Sequence, residues 1–361
     1  MPETMDLAVF GIAFLATNLG IYFLGPLTHK VGLTDKPGQR KQHDGAIPLV
    51  GGIVFYAVLV STALLVAPVT IELLYFLVAA GLVVFTGALD DKFNISFKLR
   101  FVIQAIAALI VILGVGDTLT SLGDIVGLGE MRLGYLSTPL TVLGFLAIIN
   151  AFNMLDGMDG LAGGVSLVAF IGLYITTSAL VSDAAHLIIS LFIGSLLAYQ
   201  MFNLNIFPNH LPKVFMGDAG STLLGFIICA FLIRYSQDEK AIIRPVLALW
   251  LVAIPLMDMM STFFRRLRHG KSPFYPDLTH IHHIFMRAGF TKRATLFIIM
   301  LVSCLLAMIG LTLEQLEAPD WLSFGLFISL GIIYSLIIER AWKLAKWFKR
   351  QAILAEFLLN K

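Results

Sequence analysis

Four short blocks of this 361-residue chain carry the residue types and spacings of phosphate and metal chemistry. Asp90-Asp91 sets two carboxylates side by side. Like charges this close repel, and one carboxyl is driven toward protonation unless a cation relieves it. The pair reads either as a general base with an electrostatic partner or as a helix end paired with Lys92, Lys98 and Arg100 just downstream. The second block runs Asn153-Met154-Leu155-Asp156-Gly157-Met158-Asp159-Gly160. Its polar residues recur every third position, which would put Asn153, Asp156 and Asp159 on one helical face. Gly157 and Gly160 would end that helix and let a ligand approach the backbone. Asn and Asp oxygens suit a hard cation, whereas the oxygen spacing and distal Glu of an EF-hand are missing. Polar capping of a helix end is the alternative.

The third block, Phe215-Met216-Gly217-Asp218-Ala219-Gly220-Ser221, opens an apolar run. A helix that starts here presents free N–H groups, a natural phosphate site. Asp218 reads as an N-cap or as a Mg²⁺ ligand shared with phosphate oxygens. Phe215 reads as lipid-facing bulk or as a platform for a planar base. The fourth block is His280-Ile281-His282-His283, preceded by Arg265, Arg266, Arg268 and Lys271. No cysteine or fixed carboxylate supports zinc here, and binding of a diphosphate or lipid phosphate fits better. Asp258, inside an apolar run, is an acid within the membrane and a functional candidate on that ground, unless it only pairs with Arg265. The first basic loop, Lys36 to His43, could hold a lipid phosphate at the interface.

The elements that must position these blocks are membrane helices. Apolar residues make up 58% of the chain and charged residues 13%, with mean hydropathy +0.89, more oil than a soluble domain requires. A net charge of +2 gives no reason to expect a nucleic-acid partner. Cys229 and Cys304 sit in apolar runs and read as packed thiols. Continuous apolar runs, not alternation, predict an all-α polytopic protein of about eleven transmembrane helices. They are placed near residues 6–27, 48–67, 71–89, 100–115, 138–153, 161–181, 184–202, 219–235, 243–262, 294–313 and 320–339. The acidic first residues suggest a retained span rather than a cleaved signal. Of the 25 basic residues, 21 fall in one set of loops and 4 in the other. The positive-inside rule then predicts a cytoplasmic site, a periplasmic N-terminus and a cytoplasmic C-terminus. One membrane-embedded domain is expected over 1–361, with a basic, histidine-bearing lid at 263–293 and a basic tail at 340–361. A transporter, the rival class, would put its charges at the bilayer midplane.

In this order, the blocks resemble the polyprenyl-phosphate N-acetylhexosamine-1-phosphate transferase superfamily over nearly the whole chain. Ile281, which interrupts the histidines, resembles the branch that uses UDP-GlcNAc rather than UDP-MurNAc-pentapeptide. The resemblance implies transfer of GlcNAc-1-phosphate from UDP-GlcNAc to undecaprenyl phosphate with Mg²⁺, for which Mn²⁺ can substitute. It implies a bacterial inner-membrane enzyme that starts O-antigen or a related surface polysaccharide, and leaves a homodimer open. By the same resemblance Asp218 and Asn153 are metal ligands, and Phe215 and Asp159 contact uracil. Asp156 orients the substrate-binding cations, while Asp90 and Asp91 orient the lipid phosphate or take its proton. Lys98, Arg100, Arg265, His280, His282 and His283 are then the phosphate-side and sugar-side groups.

Overall fold

A computed structural model describes residues 2–35, 45–178, 184–208, 210–237, 241–270, 272 and 280–359. The first basic loop (Lys36 to His43), Lys271 and residues 273–279 of the expected lid lie outside this set. The protein is all-α and polytopic. The described chain runs α1 (Pro2–Val31), a two-stranded antiparallel ribbon of β1 (Thr34–Asp35) and β2 (Ile47–Pro48), then α2 (Gly51–Val66) and α3 (Ile71–Phe93). There follow α4 (Phe97–Ile110), α5 (Ser137–Leu155), α6 (Leu161–Thr176), α7 (Ala184–Asn203) and α8 (Gly217–Ser236). The last five are α9 (Pro245–Leu251), α10 (Ala253–Arg268), α11 (Ile281–Arg287), α12 (Lys292–Gln315) and α13 (Asp320–Leu359).

Each expected span falls on one apolar helix or, at 243–262, on the pair α9 and α10. Among the described residues, eight helical segments are long and apolar enough to cross a membrane, and nine if α9 and α10, which meet at 82°, form one broken span. The α2 and α6 helices have only 16 residues each, short of the roughly 20 that a bilayer core requires. The α13 helix continues without a break through the expected basic tail as far as Leu359.

The apolar character of α8 extends right round its circumference, and a helix of that kind belongs in the interior. Its two incompletely buried residues are its charged ones, Asp218 in the first turn and Arg234 in the last. The α2, α3, α5 and α6 helices pack around it, α1 pairs with α7, and α12 and α13 leave large apolar side chains exposed at the periphery. Two glycines allow the closest approach. Gly52 of α2 and Gly87 of α3 lie directly on the backbone of Ala219 and Gly220, so both helices touch the first turn of α8. At the opposite end Arg234 pairs with Asp117 at 3.3 Å, and Gln237 accepts hydrogen bonds from Thr120 and Ser121. Those contacts fix the far end of the bundle and leave the near end to chemistry.

Candidate active site

Asn94 brings the second half of the acidic block into place. It adopts a left-handed conformation (φ 51°) at the end of α3 and donates its N–H to the Asp90 carbonyl. Ser96 then caps α4 through Leu99 N–H. This tight reversal carries Arg100 back over Asp90, where the guanidinium forms a short ion pair with the buried carboxylate. The same guanidinium stands 3.5 Å from Asp218 Oδ2. Its Nε is buried without a hydrogen-bond partner among the described residues. Arg100 is therefore the cation that relieves Asp90, in place of any of the neighbouring lysines, and Lys98 stands exposed in the first turn of α4.

Asp91 faces the other way. Its carboxylate accepts the Asp218 N–H at 2.8 Å and the Ala219 N–H at 3.3 Å, so it caps α8 and satisfies donors that a helix start leaves open. Asp218 is then not the cap, and its carboxylate is turned toward Asn153, whose Nδ2 donates to it at 2.8 Å and also reaches Ser221 at 3.0 Å. Asp90, Asn153, Asp218 and Arg100 thus converge from four helices.

The expected shared face of Asn153, Asp156 and Asp159 does not form. The α5 helix ends at Leu155, and Asp156 already has non-helical backbone (ψ 51°). The Gly-rich turn that follows is tied to α7, where Asn203 accepts the Gly160 N–H and Gln200 donates to its carbonyl. Burial raises the Asp156 carboxyl to about 7, with the charges of Asp91 and Asp159 adding to the rise. Asp159 pairs with Lys213 at 2.6 Å. Lys213 also lies 5.4 Å from the centre of the Phe215 ring, within cation–π range. Phe215 is fixed by its backbone: its N–H donates to the Pro48 carbonyl, and its own carbonyl accepts from Val50 and Gly51.

The histidine block forms the start of α11. His280 donates or accepts at Nδ1 with Asp258 at 2.7 Å, so Asp258 pairs with His280 and not with Arg265. Arg265 is half-buried and contacts Thr262 on its own helix at 3.3 Å. His282 is 1% exposed, and neither of its ring nitrogens has a hydrogen-bond partner among the described residues. Burial lowers its pKa to about 3, aided by the charge of His283, so the ring is neutral. The half-buried His283 ring lies 4.1 Å from that of His282.

Residues 73–236 match the family described as glycosyl transferase family 4. Over 340 residues the chain is 46% identical to the undecaprenyl-phosphate alpha-N-acetylglucosaminyl 1-phosphate transferase of Escherichia coli K12, covering 93% of this chain and 92% of that protein. The proteins of the same name from Yersinia pestis and Pasteurella multocida are each 43% identical, over 96% and 97% of this chain and 94% and 98% of theirs. The chain belongs to glycosyl transferase family 4. It is a membrane phosphoglycosyltransferase.

Most of the residues expected from the sequence gather here, and Lys213, one of the 21 basic residues of the loops at this end, joins them through Asp159. Lys213 and Phe215 are two residues apart in extended chain, which puts their side chains on one face, and that spacing was the available clue. The contact of His282 with Gly157 carried no sequence signal at all. A Cβ built on Gly157 would fall on the His282 imidazole, 2.8 Å from its Cε1.

No three His, Cys, Asp or Glu residues converge among the described residues to form a closed cage. An Asp carboxylate with 37% side-chain exposure, beside a side-chain amide, is instead the partial set that Mg²⁺ accepts when phosphate oxygens and water complete its octahedron.

Proposed function

We propose that the enzyme transfers GlcNAc-1-phosphate from UDP-GlcNAc to undecaprenyl phosphate, giving undecaprenyl-diphospho-GlcNAc and UMP. The convergence of Asp90, Asn153 and Asp218 around Arg100 carries this reading, and the near-full-length relatives, all named for that reaction, supply the substrates. The reaction would stand at the first membrane step of O-antigen or a related surface polysaccharide.

Phosphoryl transfer depends mainly on positioning and charge neutralisation. An oxygen of the acceptor phosphate attacks the sugar-bearing phosphorus of the donor. The new P–O bond forms as the bond to the bridging oxygen breaks, and UMP leaves with that electron pair. A phosphate monoester has its second pKa near 6, so the acceptor is largely dianionic at neutral pH and needs no strong base. Arg100 holds Asp90 and offers its guanidinium to the incoming phosphate. Asp91 is engaged by the α8 backbone, which favours direct attack over a covalent aspartyl intermediate. Phe215, with Lys213 and Asp159 beside it, forms the surface for uracil. His280, His282, His283 and Arg265 serve the sugar and phosphate side. Asp218, with Asn153 next to it, would hold Mg²⁺ or Mn²⁺, which supplies charge neutralisation of the diphosphate when bound.

The site would face the cytoplasm across the bacterial inner membrane, with eleven crossings, a periplasmic N-terminus and a cytoplasmic C-terminus. The loops at the site end hold 21 of the 25 basic residues, which supports that orientation. Purified protein, undecaprenyl phosphate, Mg²⁺ and radiolabelled UDP-GlcNAc should release UMP and yield a butanol-soluble labelled lipid. No product, or product only from UDP-MurNAc-pentapeptide, would sink the reading.

A further inference from the structure

Asp258 lies within α10 and is 2% exposed. Three groups converge on its carboxylate: His280 Nδ1 at 2.7 Å, the Ile281 N–H at 3.0 Å and the Tyr334 hydroxyl of α13 at 2.9 Å. A carboxylate that accepts this many hydrogen bonds serves as a fixed orienting group. It holds the His280 ring and the chain entering α11 together, and Tyr334 ties both to the last helix. The His280 ring is nearly parallel to that of His282, at 7° and 6.1 Å between centres. His282 in turn stands against Gly157, with its ring nitrogens buried and unpartnered among the described residues. A buried polar group of that kind calls for a partner, and the Asn153–Gly160 turn is where the donor would supply one.

We propose that Asp258 and Tyr334 are positioning residues for the transfer: they lock the plane of His280 and the entry to α11, and so aim His282 at the phosphate and sugar of the bound donor. This rests on the donor-site reading given above. The carboxylate–histidine pair does here what such pairs do behind metal-ligating histidines, fixing ring orientation so that the working nitrogen points one way.

A double-mutant comparison on the full-length enzyme tests it. Asp258→Asn should lower kcat by about 10–100-fold, and Tyr334→Phe less, with the KM for undecaprenyl phosphate unchanged in both. On a His282→Ala background either substitution should add little, because the group they aim is gone. Losses that multiply would assign Asp258 a general structural role and overturn the proposal. If Asp258→Asn does not reach the membrane, the Tyr334→Phe cycle decides alone. A readout independent of turnover is carbethoxylation of His282 by diethyl pyrocarbonate, followed by mass spectrometry. The reaction should quicken in Tyr334→Phe, and an unchanged rate would overturn the anchor. An inactive wild type would refute the donor-site reading, whereas an active wild type with multiplying losses would refute only the anchor.

Discussion

Gly87→Ala is the sharpest structural perturbation available without touching a polar group. A Cβ at this position would lie 2.5 Å from Ala219 N and 2.7 Å from the Asp218 carbonyl carbon, where ordinary contact begins at 3.4 Å. Both neighbours are backbone of the buried α8, so neither can swing aside. The α3 and α8 helices must part by about 1 Å to bring the nearest atom, Ala219 Cα, to ordinary contact, an overpacking that costs about 1–3 kcal/mol. Asp90 and Asp91 ride on the last turn of α3, and Asp218 on the first turn of α8. The separation therefore stretches the 2.8 Å bond from Asp218 N–H to Asp91 and moves Arg100 and Asp90 away from Asp218. A misplacement on the order of 1 Å at a reacting centre lowers kcat about 100-fold. UMP release by purified protein measures this, with thermal melting in detergent as the control for folding. Gly25→Ala in α1 is the matched substitution, since nothing lies within 4 Å of its added Cβ, and it should leave kcat unaltered. Wild-type kcat in a folded Gly87→Ala enzyme would refute the claim that the glycine contact sets the active geometry.

Lys213→Met removes both the 2.6 Å ion pair with Asp159 and the cation over Phe215. It should raise the KM for UDP-GlcNAc on the order of tenfold with a smaller change in kcat, and an unchanged KM would remove this trio from the nucleotide surface. The neutral, buried His282 makes stability depend on pH. Its pKa is about 3 when folded and about 6.5 when unfolded, so only the unfolded chain takes up a proton between those values, and stability falls as pH drops through that window. The loss from pH 7 to pH 5 is about 2 kcal/mol for this one group. His282→Gln should therefore show a smaller drop in melting temperature over that range than the wild type, and an equal drop would contradict the buried neutral ring.

Much of the site was legible in the sequence because its residues lie at helix ends, where Gly and Asp interrupt apolar runs. Asp90, Asn153 and Asp218 all stand at such breaks, and the split of basic residues between the two sets of loops assigns those breaks to one face. Spacing failed for Asp156 and Asp159, because the helix period applies only while the helix lasts and α5 ends at Leu155. Pairing across the bundle was also hidden. Asp91 as the cap of α8, Asp258 as the partner of His280, and Lys213 as the partner of Asp159 join residues 127, 22 and 54 positions apart. Local pattern carries no information about which of several cations or donors a carboxylate will meet. The 16-residue helices α2 and α6 read as apolar runs like any other, but much of their surface is covered by neighbouring helices.

Asp218, supported by Asn153, is proposed to hold the divalent cation and the donor diphosphate. Electron paramagnetic resonance of Mn²⁺ titrated into the purified enzyme with UDP-GlcNAc tests it most directly. The account predicts donor-dependent Mn²⁺ binding in the wild type, weaker binding in Asn153→Ala, and none in an Asp218→Asn enzyme that is still folded and membrane-inserted. Wild-type Mn²⁺ binding by Asp218→Asn would contradict it.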